Sequence, residues 1–204
     1  MSTAINSYAR RRGKIMPHLK AASGIKWHYD VEGQGEGLLF IHGWGVDHRI
    51  WRQQLKYFSD TYQVISIDLP GHGKSDFKKI SLEMITQDLR EILRYIQVKK
   101  VNVVGSSLGG MVALKLYELF PHMVKKLIFV VSLPKFSRSA DFPYGLDIDR
   151  MKKLGDHVNN DYPSIVNIFF RSLFTKQERQ TRRFKWLQKF RQFNEVPIKQ
   201  ALLQ

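Results

Sequence analysis

The sequence contains no cysteine and no long apolar run. The absence of cysteine excludes disulfides, thiolate metal ligands and cysteine nucleophiles, and it fits a reducing compartment. No apolar stretch approaches the length of a membrane span, and the first residues lack the apolar core of a secretory signal. We therefore expect no membrane span and a cytoplasmic location. With 204 residues, 43% of them hydrophobic, the chain has room for one domain with a substantial core and an inserted subdomain.

Acidic residues are scarce, and most of the excess positive charge lies at the two ends of the chain. The net charge is +15; residues 1–26 contain six Lys or Arg and no Asp or Glu, residues 27–134 carry +2, and residues 135–204 carry +7. No nucleic-acid-binding motif accompanies this charge, so we expect no nucleic-acid partner. A basic surface that meets an acidic protein is the better interpretation.

Residues 1–24 form a basic N-terminal segment without hydrophobic periodicity. We expect this segment to be disordered. An Arg-rich targeting leader is an alternative, because the segment lacks acids. The true start is open between Met1 and Met16, since Met16 comes shortly before the first predicted strand.

One stretch combines a strand, a sharp turn and a helix. The β-branched run at residues 101–104 leads into Gly-Ser-Ser-Leu-Gly at residues 105–109, and a helix-forming run follows. A nucleophile on such a turn needs small residues two positions before and after it, where backbones pass close together. With Ser107 at the apex these positions are Gly105 and Gly109, so we predict Ser107 as the nucleophile. The amide of Leu108, at the start of the helix, would donate to an oxyanion.

Two further motifs each follow a short apolar strand. They are His-Gly-Trp-Gly at residues 42–45 and Asp-Leu-Pro-Gly-His-Gly-Lys-Ser at residues 68–75. Together with Gly-Ser-Ser-Leu-Gly-Gly, and in this order, they resemble the α/β-hydrolase superfamily over about residues 25–132. Strands that alternate with helices predict a mostly parallel, doubly wound sheet, which is also the fold that the resemblance implies.

The resemblance implies further roles in the loops. The backbone amide of Trp44 is expected to complete the oxyanion hole with Leu108, and its indole to wall the acyl pocket. His42 is expected to fix its loop by hydrogen bonds rather than to act as a base. Asp68 and His72 are expected to be structural. No metal or cofactor is implied.

Residues 133–204 are predicted to contain helices over residues 148–151, 164–174 and 177–193, and the resemblance implies that they form a helical cap over the active site. Phe169 and Phe170 are candidates to face the substrate, and plain cap packing is the open alternative.

A serine hydrolase also needs a histidine base and a carboxylate that orients it. In this superfamily both follow the cap. Of the residues present, His157, Asp141, Asp147 and Asp149 are poorly placed for either role. We therefore expect a C-terminally truncated hydrolase with little or no ester turnover. The continuous apolar run within residues 126–131 predicts a buried strand. If the strands that would follow it are missing, however, residues 127–131 would form an exposed apolar edge of the sheet.

Within the superfamily, the two glycine-rich motifs and Val-Ser-Leu-Pro-Lys-Phe-Ser at residues 131–137 are similar to the pimeloyl-[acyl-carrier protein] methyl ester esterases of biotin synthesis. This resemblance implies cleavage of a methyl ester on a carrier-bound acyl chain. We expect a monomer. The resemblance also implies that an acidic carrier protein docks on cap arginines, for which the candidates are Arg171, Arg179, Arg182 and Arg183. A solvated helix face is the alternative for these arginines. Two alternatives stay open for the function. The chain could be another α/β-hydrolase that cleaves esters or C–C bonds, or a non-catalytic truncated remnant.

Overall fold

The computed structural model describes residues 18–78 and 80–191, except for several side chains between 151 and 162. Most of the basic segment at 1–24, the alternative start at Met16 and the predicted helix end at Phe193 lie outside the described residues.

Six strands form one sheet in the order β1-β2-β4-β3-β5-β6. The strands are β1 (His18–Lys20), β2 (Lys26–Glu32), β3 (Glu36–Ile41), β4 (Tyr62–Ile67), β5 (Val101–Ser106) and β6 (Val124–Val130). β3 lies between β4 and β5 and is parallel to both, and β5 is parallel to β6, whereas β2 is antiparallel to β1 and β4. The predicted α/β class with a mostly parallel sheet is confirmed. The sequence does not predict β1, whose three residues are too few to show a pattern.

Three helices connect the strands and cover both faces of the sheet: α1 (Arg52–Phe58), α2 (Leu82–Tyr95) and α3 (Leu108–Leu119). Because side chains alternate along a strand, Leu39 and Ile41 of β3 join the larger core cluster with α2 and α3. Leu38 and Phe40 point to the other face, where they join a smaller cluster that includes Leu55 of α1. Covering both faces buries β3 almost completely, as its continuous apolar run predicts.

The start of α2 shows how local sequence sets an element boundary. The Ser81 side chain accepts a hydrogen bond from the Met84 amide at 3.3 Å, as is typical of a serine at the N-cap. The C-terminus of α3 is also set locally. Pro121 follows the last residues of this helix and begins a short 3-10 turn, because proline cannot continue a helix.

The prediction that the last strand is buried is wrong. β6 lies at the edge of the sheet within the described residues, and the side chains of Ile128 and Phe129 are 42% and 48% exposed. Val131, directly after the strand, is 88% exposed. The apolar edge expected for residues 127–131 is therefore what this chain presents.

Beyond β6 the described chain is mainly helical, with α4 (Ile148–Asn160), α5 (Tyr162–Ser172) and α6 (Arg182–Leu187). The single helix predicted over 177–193 is wrong, because Thr181 has an extended backbone and interrupts it. The Thr181 hydroxyl instead accepts a hydrogen bond from the Phe184 amide at 3.1 Å and begins α6. Among the described residues, no helix combines the length and hydrophobicity that crossing a bilayer requires.

Candidate active site

Ser107 occupies the apex of the turn between β5 and α3. Its backbone has φ 51° and ψ −115°, a region that serine rarely adopts. The Ser107 amide donates to the Val130 carbonyl at 3.1 Å, and its carbonyl accepts from the Gly110 amide at 2.9 Å and from the Ser132 hydroxyl at 2.8 Å. These hydrogen bonds hold a backbone conformation that would otherwise relax, as is typical of functional turns.

The glycines on either side of Ser107 are required by close backbone contacts. A Cβ on Gly105 would lie 2.4 Å from the Gly109 carbonyl oxygen, and a Cβ on Gly109 would lie 2.4 Å from the Ile41 carbonyl oxygen. Both distances are far shorter than a van der Waals contact. The crowding fits the predicted register, with Ser107 rather than Ser106 at the apex.

The loop at residues 42–45 lies against Ser107. A Cβ built on Gly43 would be 3.2 Å from the Ser107 Cβ and 3.8 Å from its Oγ. Because Gly43 has no side chain, the loop at residues 42–45, which includes Trp44, can approach the Ser107 hydroxyl. This loop and the N-terminus of α3 therefore both lie next to Ser107. Leu108 is the first residue of α3, so its amide has no acceptor within the helix. The helix N-terminus at Leu108 and the loop that carries Trp44 thus both adjoin Ser107, and backbone amides in such positions are the groups that can stabilise an oxyanion.

His42 holds this loop in place through both ring nitrogens. Its Nδ1 donates to the Gly43 carbonyl at 2.7 Å, which leaves Nε2 to accept from the Leu69 amide at 3.0 Å. The ring is fully buried, and burial lowers its pKa. Because both nitrogens are used by the backbone, the ring is neutral and has no site left for proton transfer. The geometry agrees with the expected structural role of His42.

Asp68 anchors the neighbouring loop from a fully buried position. Its carboxylate accepts from the amides of His48 and Lys74, both at 2.9 Å, and from His48 Nδ1 at 2.7 Å. Burial alone would raise the pKa of Asp68, but these contacts, mainly that with His48, lower it to about 2. Burial would likewise lower the pKa of His48, but hydrogen bonds to Asp30 and Asp68 raise it to about 9. The Asp68 carboxylate is therefore occupied by structural contacts.

Comparison with known proteins identifies the family. A family model described as the alpha/beta hydrolase fold matches residues 37–156. The chain belongs to the α/β-hydrolase family.

Among curated α/β-hydrolases, two similar relatives are pimeloyl-[acyl-carrier protein] methyl ester esterases. The protein of Nitrosomonas europaea is 33% identical over 165 residues, covering 79% of this chain and 63% of the relative. That of Wigglesworthia glossinidia brevipalpis is 33% identical over 159 residues, covering 77% and 60%. The chain thus spans about three fifths of the length of these relatives.

Solved structures agree on the α/β-hydrolase fold. An esterase from Exiguobacterium antarcticum superposes with a TM-score of 0.79 at 23% identity, covering 90% of this chain and 69% of that one. A bromoperoxidase from Bacillus anthracis gives a TM-score of 0.76 at 24% identity, covering 87% and 68%.

The two phenylalanines predicted to face substrate are separated in this α/β-hydrolase. Phe169 is partly exposed and contacts the Trp44 indole edge-on, with ring centroids 5.2 Å apart. Phe170 is buried and packs its ring against Phe174 and Phe184. Phe169 therefore stays a candidate to contact substrate with Trp44, whereas packing among the helices beyond β6 accounts for the burial of Phe170.

The aspartates and the histidine considered as triad members either make other contacts or are exposed to solvent. Asp141 accepts from Lys135 and Ser139, Asp147 caps α4, and His157 is an exposed residue of that helix. Within the described part of the chain, no side chain makes a hydrogen bond to Ser107 Oγ, so the described residues include no base in contact with the hydroxyl.

The sequence misses His48 and Ser132, both of which position the site. His48 lies 20 residues from Asp68, and no local pattern connects the two. Ser132 holds the Ser107 carbonyl and lies in the 131–137 segment that carries the family resemblance, which was the one signal for it.

Proposed function

We propose that Ser107 is the nucleophile of a serine carboxylic-ester hydrolase. The observation that carries this proposal is the left-handed backbone of Ser107 at the strand-to-helix turn, with the loop at residues 42–45 packed beside its hydroxyl. Attack of Oγ on an ester carbonyl would develop negative charge next to the amides of Leu108 and Trp44, which would stabilise it.

Covalent trapping tests the nucleophile without requiring full turnover. The chain is incubated with a fluorophosphonate, and peptide mapping by mass spectrometry locates the adduct. We expect modification of Ser107, its loss in Ser107→Ala, and its retention in the matched control Ser106→Ala. An adduct spread over exposed serines, or one that persists in Ser107→Ala, would contradict the assignment.

We further propose that the substrate is the methyl ester of pimeloyl-[acyl-carrier protein]. The names of the curated relatives support this substrate, and the residues from 135 to 204 carry +7, a charge that suits an acidic carrier. Trp44 and Phe169 would contact the acyl chain where their rings meet.

Docking of the carrier is assigned to the cap arginines. Arg171, Arg182 and Arg183 are exposed, while the Arg179 Nε donates to the Phe174 carbonyl at 3.0 Å. Reversing two charges in Arg182→Glu/Arg183→Glu should weaken binding of the acylated carrier about tenfold at low salt. Lys99→Glu/Lys100→Glu is the matched control, because these exposed lysines precede β5 at the opposite end of the strand from Ser107. Equal binding by both double variants, measured by calorimetry, would refute the docking assignment.

A non-catalytic acyl-carrier-binding role is the second candidate, favoured by the lack of a hydrogen-bonded base on Ser107 Oγ among the described residues. Carrier binding that depends on the arginines, combined with no fluorophosphonate adduct, would select this role.

A further inference from the structure

Three polar side chains outside the Ser107 site converge beside β2, the strand that lies between β1 and β4. His28 and Asp30 are two residues apart on β2 and therefore lie on the same face of the strand. His48 begins the 3-10 turn His48–Trp51 that follows the loop at residues 42–45. We propose that this histidine cluster (His28, Asp30 and His48) binds a divalent cation of the zinc type.

The distances within the histidine cluster suit one small cation. His48 Nε2 is 3.3 Å from Asp30 Oδ2, and His28 Nε2 is 3.8 Å from Asp30 Oδ1. The ligand atoms all lie within 4.8 Å of one another. Tetrahedral zinc with bonds of about 2.0–2.1 Å places its ligand atoms about 3.4 Å apart, close to the two distances that involve Asp30, whereas the widest separation in the cluster must shorten by up to about 1.4 Å on binding. Two imidazoles and a carboxylate are also a donor set that zinc prefers.

His28 supplies independent support, because it is a buried polar group without a hydrogen bond. Its side chain is almost fully buried, and among the described residues neither of its ring nitrogens has a hydrogen-bond partner. Its ring instead lies between those of His18 and His48, with centroids 4.8 and 4.7 Å away. Since neither ring nitrogen is engaged by a neighbour in the described part of the chain, the imidazole can present a lone pair to a metal. A bound cation would satisfy a nitrogen that is otherwise costly to bury.

His48 is oriented toward the same point by a second contact. Its Nδ1 hydrogen-bonds to Asp68, so its Nε2 faces Asp30. A carboxylate behind a histidine ligand fixes the ring orientation and strengthens the nitrogen as a ligand. When the cation binds, it replaces the proton that His48 Nε2 shares with Asp30. The side chain of Asp30 is 43% exposed, which gives the ion a route from solvent.

A neighbouring group of Asp47, His48 and Asp68 also has ligand atoms close together. Asp47 is less suitable, because its carboxylate accepts from the Arg49 amide and forms a bidentate ion pair with the Arg49 guanidinium. The histidine cluster is therefore the assigned site. A cation there would link β2 to the turn that follows the loop beside Ser107.

Metal titration of the untagged full chain tests this site. We expect one Zn²⁺ per chain in competition with a chelating dye, and one Co²⁺ with the visible absorption of four-coordinate geometry. Asp30→Asn and His28→Gln should each lower Zn²⁺ affinity by about tenfold or more and remove the Co²⁺ signal. Glu32→Gln is the matched control, since this exposed carboxylate is the next residue on the same face of β2 and should leave both readouts unchanged.

Absence of a bound ion would overturn the proposal, as would equal affinity in wild type and Asp30→Asn. If His28→Gln fails to fold by circular dichroism, the half-exposed Asp30 decides the question, because its substitution by asparagine preserves shape.

Discussion

Substitution of Gly109 by alanine tests the packing that positions Ser107. The added Cβ would lie 2.4 Å from the Ile41 carbonyl oxygen and 2.6 Å from that of His42. Both are backbone atoms at the end of β3, so neither can rotate away as a side chain would. Forcing a methyl group into a packed interior costs about 1–3 kcal/mol, against a gain of up to about 1 kcal/mol from the better helix propensity of alanine.

We expect Gly109→Ala to lower the free energy of unfolding by about 2 kcal/mol, because contacts as short as 2.4 Å place the cost of overpacking at the upper end of its range. For a chain of this size the loss corresponds to a decrease in melting temperature of roughly 4–8 °C. Urea titration should show a lower midpoint with an unchanged m-value. Fluorophosphonate labelling of Ser107 should also slow, since relief of the clash moves the residues that lead into the loop at 42–45.

Gly43→Ala provides the matched comparison in the same region. Its Cβ would meet nothing closer than 3.2 Å, and its backbone does not require glycine. We expect a stability change of less than about 1 kcal/mol. If Gly109→Ala unfolds at the same urea concentration as wild type or as Gly43→Ala, the argument from close backbone contact is refuted.

Other consequences can be measured on the same protein. Burial and the neighbouring His42 lower the pKa of His72 to about 3. An unfolded histidine has a pKa near 6.5, so below pH 6.5 the unfolded state binds a proton that the folded state does not. The stability that neutral His72 contributes is therefore present above pH 6.5 and is lost as pH falls toward 3, by about 1.4 kcal/mol per pH unit. His72→Gln should flatten this slope between about pH 6.5 and 5 in urea titrations, and an unchanged slope would count against the assignment. Asp68→Ala should cost about 3–5 kcal/mol of unfolding free energy, since it leaves the buried His48 ring and the amides of His48 and Lys74 without their acceptor; a loss below about 1 kcal/mol would contradict this. Ile128→Lys should reduce self-association in light scattering at rising concentration while shifting unfolding by less than about 0.5 kcal/mol, and undiminished association would exclude β6 as the contact.

The features that the sequence predicts are those fixed by local chemistry. The turn at Ser107 is readable because glycine is needed at both Gly105 and Gly109, and each requirement is met within five residues. The start of α2 at Ser81 is readable for the same reason, since the cap acts over three residues. The alternation of strands and helices also indicates the parallel sheet before any contact is known.

The features that the sequence does not predict depend on distant contacts or on what covers a surface. The exposure of β6 follows from its position at the sheet edge, and an apolar run reads the same whether or not another element covers it. The interruption at Thr181 depends on one hydrogen bond, in which the Thr181 hydroxyl caps the start of α6, and the helical pattern of the sequence continues across this point. The histidine cluster joins two separate segments, and nothing in either segment alone distinguishes it from ordinary strand and loop residues.

Two hydrogen bonds of the Ser107 backbone, one donated to the Val130 carbonyl and one accepted from the Ser132 hydroxyl, constrain where members of this family can differ in length. The residue between them, Val131, has a left-handed backbone with φ 47°. An insertion or deletion at this point would shift one anchor relative to the other and release the hydroxyl, so we expect lengths to vary only beyond Ser132. A cap grafted from another hydrolase should accordingly be spliced after that serine.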